Sequence, residues 1–139
     1  MSGNTRFAVA VHVLAILGRL EQEGVELVPS SQIARSVNTN AVVIRTLLRT
    51  LKKAGLVHSK EGRGGGVKLA KSSSRISLQE IYEAVETDGI FAASEKPQYA
   101  PCPVSCGMKK LFLTVTDEVD EAVAKVLRRK TLKQMLDRL

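Results

Sequence analysis

The sequence predicts a mainly α-helical protein with one small β-hairpin, in the order of a winged helix-turn-helix followed by a long C-terminal dimerisation helix. Three observations predict it: two short helices joined by a polar turn, a glycine-rich hairpin after them, and one long apolar seam near the end of the chain. With 139 residues, 44% of them hydrophobic, the chain is long enough for one such core. We place the winged helix-turn-helix at residues 1–87 with its wing at about 56–69, a cysteine-containing loop at 88–103, and the dimerisation helix with a short terminal helix at 104–139.

The first helix is apolar almost all round and is expected to be buried, ending near Gly24. Its inward positions recur at helical spacing: Phe7, Ala10, Val11, Leu14 and Leu17. A short extended piece at 26–28 follows. Ser30 then offers an N-cap for a second helix that runs to Val37.

The third helix is predicted from Ala41 to Ala54, with Asn40 as its N-cap and Gly55 as its stop. One face carries large aliphatic side chains, and the opposite face is basic with short side chains between the charges. The aliphatic face is Ile44, Leu47, Leu48 and Leu51, and the basic face is Val42, Arg45, Thr46, Arg49 and Lys53.

The wing is predicted as two strands, Leu56 to Lys60 and Val67 to Leu69, joined by a tip with four glycines in six positions. Glycine permits a tight turn and lets the backbone approach a partner closely. After the wing, Ser77 and Glu80 match a capping box that opens a helix from Leu78 to about Thr87.

The net charge of +7 is concentrated in one part of the chain. Residues 30–75 hold ten basic residues and one acidic residue, a net +9, whereas the other 11 basic and 13 acidic residues sum to −2. Such a module suggests a polyanionic partner. Double-stranded DNA fits better than a membrane, because an interfacial helix would place large apolar side chains opposite its charges.

A helix of this length enters the major groove with its N-terminal residues at the base edges. Asn40 and Arg45 suit bidentate contacts to adenine and guanine, Val42 suits a thymine methyl, and Arg49 with Lys53 lies at phosphate reach. Arg63 on the glycine-rich tip suits the negative potential of the minor groove. The predicted DNA-binding residues are Ser30, Ser31, Asn40, Ala41, Val42, Arg45, Thr46, Arg49, Lys53, Arg63, Gly64 and Gly65.

A narrow apolar seam runs along the long helix with alternating spacings of four and three, over nearly three heptads. It predicts a homodimer, the alternative being that the helix packs on its own domain. Thr131 can cap a last short helix from Leu132 to Leu139. The predicted interface residues are Met108, Phe112, Val115, Val119, Ala122 and Val126.

Other classes of protein fit less well. The longest apolar run, Phe7 to Leu17, is too short to span a bilayer and has no basic region or cleavage site of a secretory signal, so we expect a cytoplasmic protein. No phosphate loop follows a strand and no Ser/His/Asp arrangement occurs, so we do not expect an enzyme. A winged helix that binds only proteins remains an alternative.

Several segments in register resemble the bacterial winged-helix transcriptional regulator family of IscR, NsrR and CymR. They are residues 31–34 (SQIA), 47–57 (LLRTLKKAGLV), 62–66 (GRGGG), 68–70 (KLA) and 76–81 (ISLQEI). The resemblance implies a homodimeric transcription factor on a pseudo-palindromic operator, with the long C-terminal helix as the dimer helix. The chain departs from the pattern at Val67, where many members carry an aromatic residue.

Cluster-binding members of that family hold an iron–sulfur centre with three cysteines just before the dimer helix. This chain has Cys102 and Cys106 in the matching region and no third cysteine, so it resembles the cluster-free, thiol-containing branch most closely and we expect no cofactor. A cluster-dependent regulator, bridged by two cysteines from each subunit, remains the alternative.

A thiol near the positive N-terminal end of a helix is more reactive, and Lys109 and Lys110 add to this effect. Oxidation to a sulfenic acid, a Cys102–Cys106 disulfide or attack on an electrophile could shift the dimer helix and change the spacing of the two DNA-binding modules. We therefore expect a redox- or electrophile-sensing DNA-binding repressor, with Cys102 and Cys106 as the sensing residues.

Overall fold

The computed structural model describes residues 3–139, so that residues 1 and 2 of the predicted first unit lie outside the described part. This part of the chain folds into six α-helices and one antiparallel hairpin, which confirms the predicted fold class. The elements in chain order are α1 (Gly3–Gln22), α2 (Ser30–Val37), α3 (Ala41–Lys53), β1 (Val57–Lys60), β2 (Gly66–Leu69), a 3₁₀ turn (Ser73–Arg75), α4 (Leu78–Val85), α5 (Pro103–Arg128) and α6 (Leu132–Leu136).

Helix α1 lies at the centre of the core, which explains why it is apolar almost all round. It contacts α2, α4, α6 and β2, and Ala10, Val13 and Leu14 are fully buried. Around it the other elements each contribute buried aliphatic side chains, and burying one such side chain contributes about 1.5–3 kcal/mol. The largest fully buried ones include Ile33, Ile44, Leu51, Leu56, Ile76, Ile81 and Leu132.

An asparagine stands at each side of the turn between α2 and α3: Asn38 is the C-cap of α2 and Asn40 the N-cap of α3. Asn38 ends α2 in the left-handed conformation at φ 61°, which asparagine tolerates better than most residues. The Asn40 side chain caps α3 as predicted, since its Oδ1 accepts the backbone N–H of Val42 at 2.7 Å. The predicted N-cap of α2 was wrong by one residue. Pro29 is the N-cap and Ser30 the first helical residue, with no side-chain cap hydrogen bond.

The extended segment before α2 pairs with strand β2 of the wing through one residue, Val28. Strands β1 and β2 pair with Val57 opposite Leu69 and Lys60 opposite Gly66, and Val28 exchanges two backbone hydrogen bonds of 2.9 Å with Val67. A Cβ on Gly66 would lie 2.8–2.9 Å from the Val28 backbone. Residue 66 must therefore be glycine, because a larger side chain would clash with the backbone of Val28. This requirement of packing holds whether or not the wing binds a partner.

The C-terminal part begins with α4 and returns to the core through α6. The Ser77 hydroxyl caps α4 by accepting the Glu80 N–H at 3.1 Å, while the Glu80 carboxylate pairs with Lys71 Nζ at 2.6 Å. The irregular segment at 86–102 leads to the long α5. Thr131 then opens α6 with a complete capping box, and the helix is shorter than predicted. Nowhere in residues 3–139 does a helix combine the length and apolarity needed to cross a bilayer.

Candidate functional site

A basic groove of about 520 Å³ lies between α3 and the wing. Arg45, Arg49 and Lys52 line it from α3, because spacings of four and three place them on one side of the helix. Lys60 and the tip of the hairpin line it from the wing. Pro29 and Ser30 contribute the start of α2, so that three elements adjacent in sequence meet at one concave surface.

The cations of this groove lack acidic partners among residues 3–139. The ion pairs in that part of the chain involve Arg19, Lys71, Arg128 and Lys133, all away from the groove. Arg45, Arg49, Lys52 and Lys60 are all exposed, and Glu61 is the one acidic residue in the lining. The groove therefore presents a net positive surface, as a polyanion site requires.

The N-terminal end of α3 is exposed to solvent at Asn40 and Val42. Val42 is 61% exposed, an unusual position for a large aliphatic side chain. The Arg45 Nε donates to the Ala41 carbonyl at 3.4 Å, and the Thr46 hydroxyl donates to the Val42 carbonyl at 3.0 Å. These local bonds hold the side chains against the helix while leaving the rest of the guanidinium and the Val42 methyls open to a partner.

The other predicted DNA-binding residues are dispersed around the groove. Ser31 is exposed on α2, and Lys53 is exposed on α3 but does not line the groove. Arg63 and Gly64 lie at the exposed tip of the wing, and Gly65 lines the groove.

Two cations of the groove, Lys52 and Lys60, were not predicted from the sequence. Lys52 could have been found, because it lies three residues after Arg49 and seven after Arg45. Lys60 follows from the hairpin register, which sets it opposite Gly66 at the end of β1. Burial alternates along β2 but not along β1, so the register of the pair could not be read from the sequence of β1.

The two cysteines lie one helical turn apart at the start of α5, and both are free thiols. Cys102 is the N-cap and half-buried, and its Sγ accepts the Ser105 N–H at 3.4 Å. Cys106 is exposed, and its thiol donates to the carbonyls of Ala100 at 3.6 Å and Tyr99 at 3.8 Å. Both sulfur atoms therefore take part in the turn that starts the helix.

The donors of one protomer do not fit an iron–sulfur cluster. Such clusters take four ligands, mostly thiolates, and the chain has two cysteines. Across residues 3–139, no three His, Cys, Asp or Glu side chains come together in a way that could hold a metal ion.

Helix α5 carries an apolar stripe that is exposed in the described part of the chain. Leu111 is 65% exposed and Val115 57%, and Met108, Phe112, Ala122 and Val126 are also exposed. Val119 is half-buried, and the face of α5 that packs on the domain holds the buried Thr116 and Ala124. We call the exposed residues Met108, Leu111, Phe112, Val115, Ala122 and Val126 the α5 stripe. Leu111 was not among the predicted interface residues.

Comparison with known proteins matches nearly the whole described chain to one family. A profile of the Rrf2 family, described as iron-dependent transcriptional regulators, matches residues 3–138. YwnA of Bacillus subtilis strain 168, which is named among the HTH-type transcriptional regulators, is 36% identical over 137 residues, which is 98% of each chain.

Solved structures agree with that match. The IscR structure of T. potens superposes with a TM-score of 0.71 at 25% identity, covering 96% of this chain and 85% of that one. The CymR structure of Staphylococcus aureus superposes with a TM-score of 0.65 at 26% identity, covering 95% of each chain. The likeness includes the wing and the long C-terminal helix.

Proposed function

The chain belongs to the Rrf2 family of DNA-binding transcriptional regulators, and from this premise we propose that it is a homodimeric repressor whose DNA binding is controlled by Cys102 and Cys106. The family is not enzymatic, in agreement with the prediction from sequence. The groove between α3 and the wing carries the proposal, because its exposed cations have no acidic partners within residues 3–139.

In the proposed complex, α3 enters the major groove with its N-terminal end toward the base edges. The helix has 13 residues, a length that a major groove admits. Arg49, Lys52 and Lys60 face the phosphates on either side, and Arg63 at the wing tip follows the adjacent minor groove. Phosphate contacts set the register, and the residues around Val42 read the sequence.

The α5 stripe supports the homodimer. An exposed row of apolar side chains on a 26-residue helix matches the seam of a helix pair. Two copies joined along α5 would present two α3 helices, as a pseudo-palindromic operator requires.

The thiol step that we propose is a two-electron oxidation. The Cys106 thiolate attacks the terminal oxygen of a hydroperoxide, so that an S–O bond forms and the O–O bond breaks. Cys106 becomes a sulfenic acid, and the alkoxide or hydroxide that leaves takes a proton to form an alcohol or water. The Cys102 thiolate then attacks that sulfur and displaces hydroxide, which takes a proton to leave as water. Overall, two thiols lose two electrons and two protons to form one disulfide, and the peroxide is reduced.

The two sulfur atoms occupy positions that make this oxidation consequential. A disulfide would withdraw Cys102 Sγ from the Ser105 N–H and the Cys106 thiol from the carbonyls of Tyr99 and Ala100. The start of α5 would then have to rearrange, and α5 links the proposed dimer seam to the DNA-binding module.

The test combines thiol analysis with DNA affinity on one sample. Reduced protein is expected to bind the DNA upstream of its own gene, with log affinity falling linearly with log salt concentration. Hydroperoxide treatment is expected to lower that affinity in step with the disulfide measured by mass spectrometry, and the Cys106→Ser variant should bind without responding. If the protein showed no salt-dependent binding, the proposed DNA-binding function would be wrong. If affinity stayed unchanged after complete oxidation, only the proposed sensing role of the cysteines would be wrong.

A further inference from the structure

The Asn40 side chain has a fixed orientation at the DNA-facing end of α3. The backbone N–H of Val42 needs an acceptor, so the amide oxygen of Asn40 must be the atom 2.7 Å from it. The oxygen therefore points at the first turn of the helix. The amide nitrogen, which cannot accept, is left as the outward polar group of an exposed side chain.

The neighbouring Arg45 has the same polarity. Its Nε is committed to the Ala41 carbonyl at 3.4 Å, and its terminal nitrogens remain as outward donors without an acidic partner in residues 3–139. Between Asn40 and Arg45 stands the exposed isopropyl group of Val42. The end of the helix thus offers donors and methyl groups.

Each base presents its own pattern to such a surface in the major groove. Guanine shows two acceptors, N7 and O6, and thymine shows the O4 acceptor beside its methyl group. Adenine shows the N7 acceptor beside the N6 donor, and cytosine shows the N4 donor. A bidentate contact to adenine needs an outward acceptor as well as a donor. The cap turns the Asn40 oxygen toward the first turn of α3, so the oxygen and the amide nitrogen do not both face a base and the adenine contact expected from sequence is disfavoured.

We propose that Asn40 is a specificity-determining residue of donor type, which with Arg45 selects guanine or thymine edges while Val42 contacts a thymine methyl. The proposal rests on the proposed DNA-binding function and deepens it, because it states which base edges the helix accepts. It follows from the cap hydrogen bond, the free guanidinium nitrogens and the exposure of Val42.

Two substitutions at Asn40 separate its proposed contact with a base from its role as the N-cap of α3. Asn40→Asp keeps an oxygen for the Val42 N–H, and aspartate is as good an N-cap as asparagine, but it replaces the outward donor with an acceptor. Asn40→Ser keeps a capping oxygen and removes the outward group. Thermal unfolding of both variants serves as the check that α3 is intact.

The experiment is selection from duplex DNA with a randomised half-site, performed with wild type, both variants and Arg45→Ala. Wild type should enrich guanine or thymine at the position served by Asn40. Asn40→Asp should shift that position toward cytosine or adenine, by about fivefold to a hundredfold in relative affinity, and Asn40→Ser should flatten it. These results would support the proposal.

Two results would overturn it and are distinguishable. Salt-dependent binding with the same base preference in wild type and Asn40→Asp would overturn the reading role of Asn40 and leave the DNA-binding function standing. Absence of binding to any selected duplex by wild type would overturn both.

Discussion

Asp120 of α5 accepts the backbone N–H of Ile90 through Oδ1 at 3.0 Å, which ties the long helix to the beginning of the segment that leads to the cysteines. The residue before Ile90 is Gly89, at φ 78°, and a Cβ there would lie 2.7 Å from Asp120 Oδ2. One carboxylate therefore contacts both Gly89 and Ile90 where α5 meets the segment after α4.

Removing that carboxylate should loosen the contact between α5 and this segment. Asp120→Ala leaves the part-buried N–H of Ile90 without its acceptor, and hydrogen bonds to charged groups contribute about 1.5–3 kcal/mol. We expect a loss of about 1–2 kcal/mol in the free energy of unfolding, measured by urea titration, because the site is only partly buried. Asp117→Ala, an exposed position on the same helix, is the control. Equal losses of unfolding free energy for both variants would contradict the stabilising role of the Asp120–Ile90 hydrogen bond.

Two glycines allow backbone strain to be separated from the contact with Asp120. Gly89 and Gly24 both have positive φ, at 78° and 85°, but nothing lies within 4 Å of a Cβ built on Gly24. Gly24→Ala should cost about 1 kcal/mol from conformation alone. Gly89→Ala should cost more, because the methyl group also displaces the Asp120 carboxylate. Denaturant midpoints of the two variants test the difference, and indistinguishable midpoints would refute it.

Tyr82 makes the stability of this region sensitive to alkaline pH. Burial, and then the nearby carboxylates of Asp120 and Glu86, raise the pKa of Tyr82 above its ordinary value of 10.0. An acid whose pKa is raised by folding stabilises the folded state while protonated, so its contribution is complete below pH 10 and is lost as the pH rises through the folded pKa.

Tyr82→Phe should therefore flatten the loss of stability above pH 10, which thermal unfolding across pH 8–11 would measure. At neutral pH the change should be small or stabilising, because the shielded Tyr82 hydroxyl has no hydrogen-bond partner among the described residues. The exposed Tyr99 provides the control as Tyr99→Phe. A matching change of slope in that control would contradict the assignment to Tyr82.

Most of the fold could be predicted from sequence, because helical periodicity and caps are local. The face of α3 and the Asn40 cap depend on residues within one or two turns. The start of α2 was displaced by one residue, since Pro29 takes the cap position with its fixed φ of −63° and extended ψ of 144°. Its carbonyl, rather than a serine hydroxyl, receives the first N–H groups of the helix.

The candidate site was harder to predict, because it depends on contacts between distant segments. Lys60 reaches the groove only through the hairpin register, and Val28 joins the wing from 39 positions before its partner Val67. The adenine contact expected of Asn40 illustrates a second difficulty. Asn40 was expected both to cap α3 and to contact adenine. Only the hydrogen-bond geometry shows that the cap uses its amide oxygen.

A single charge in the α5 stripe should prevent dimerisation. Val115→Glu places a carboxylate in the middle of the proposed seam, where a second copy would bury it without a partner. We expect a monomer by sedimentation velocity at concentrations where wild type is a dimer, together with at least tenfold weaker operator binding. Thr114→Glu, at an exposed position of α5 outside the stripe, should leave the dimer intact. A wild-type monomer, or a dimeric Val115→Glu, would refute the seam.

The cations of the groove should divide into those that bind phosphates and those that bind bases. Lys60→Ala should weaken binding by a similar factor on every sequence. It should also reduce the slope of log affinity against log salt by about 0.9 for each phosphate that is no longer neutralised, or about 1.8 in a dimer. Arg45→Ala should instead reduce the preference for the operator over unrelated DNA, because in the proposed complex the terminal nitrogens that the Ala41 hydrogen bond leaves free face the base edges.

Fluorescence anisotropy over a salt series, on operator and non-operator duplexes, measures both the slope and the preference. Lys133→Ala on α6, where the lysine pairs with Asp137, is the control and should change neither quantity. If Lys60→Ala altered sequence preference while Arg45→Ala altered only the salt slope, the proposed orientation of α3 would have to be reversed, because the wing side of the groove would then face the base edges.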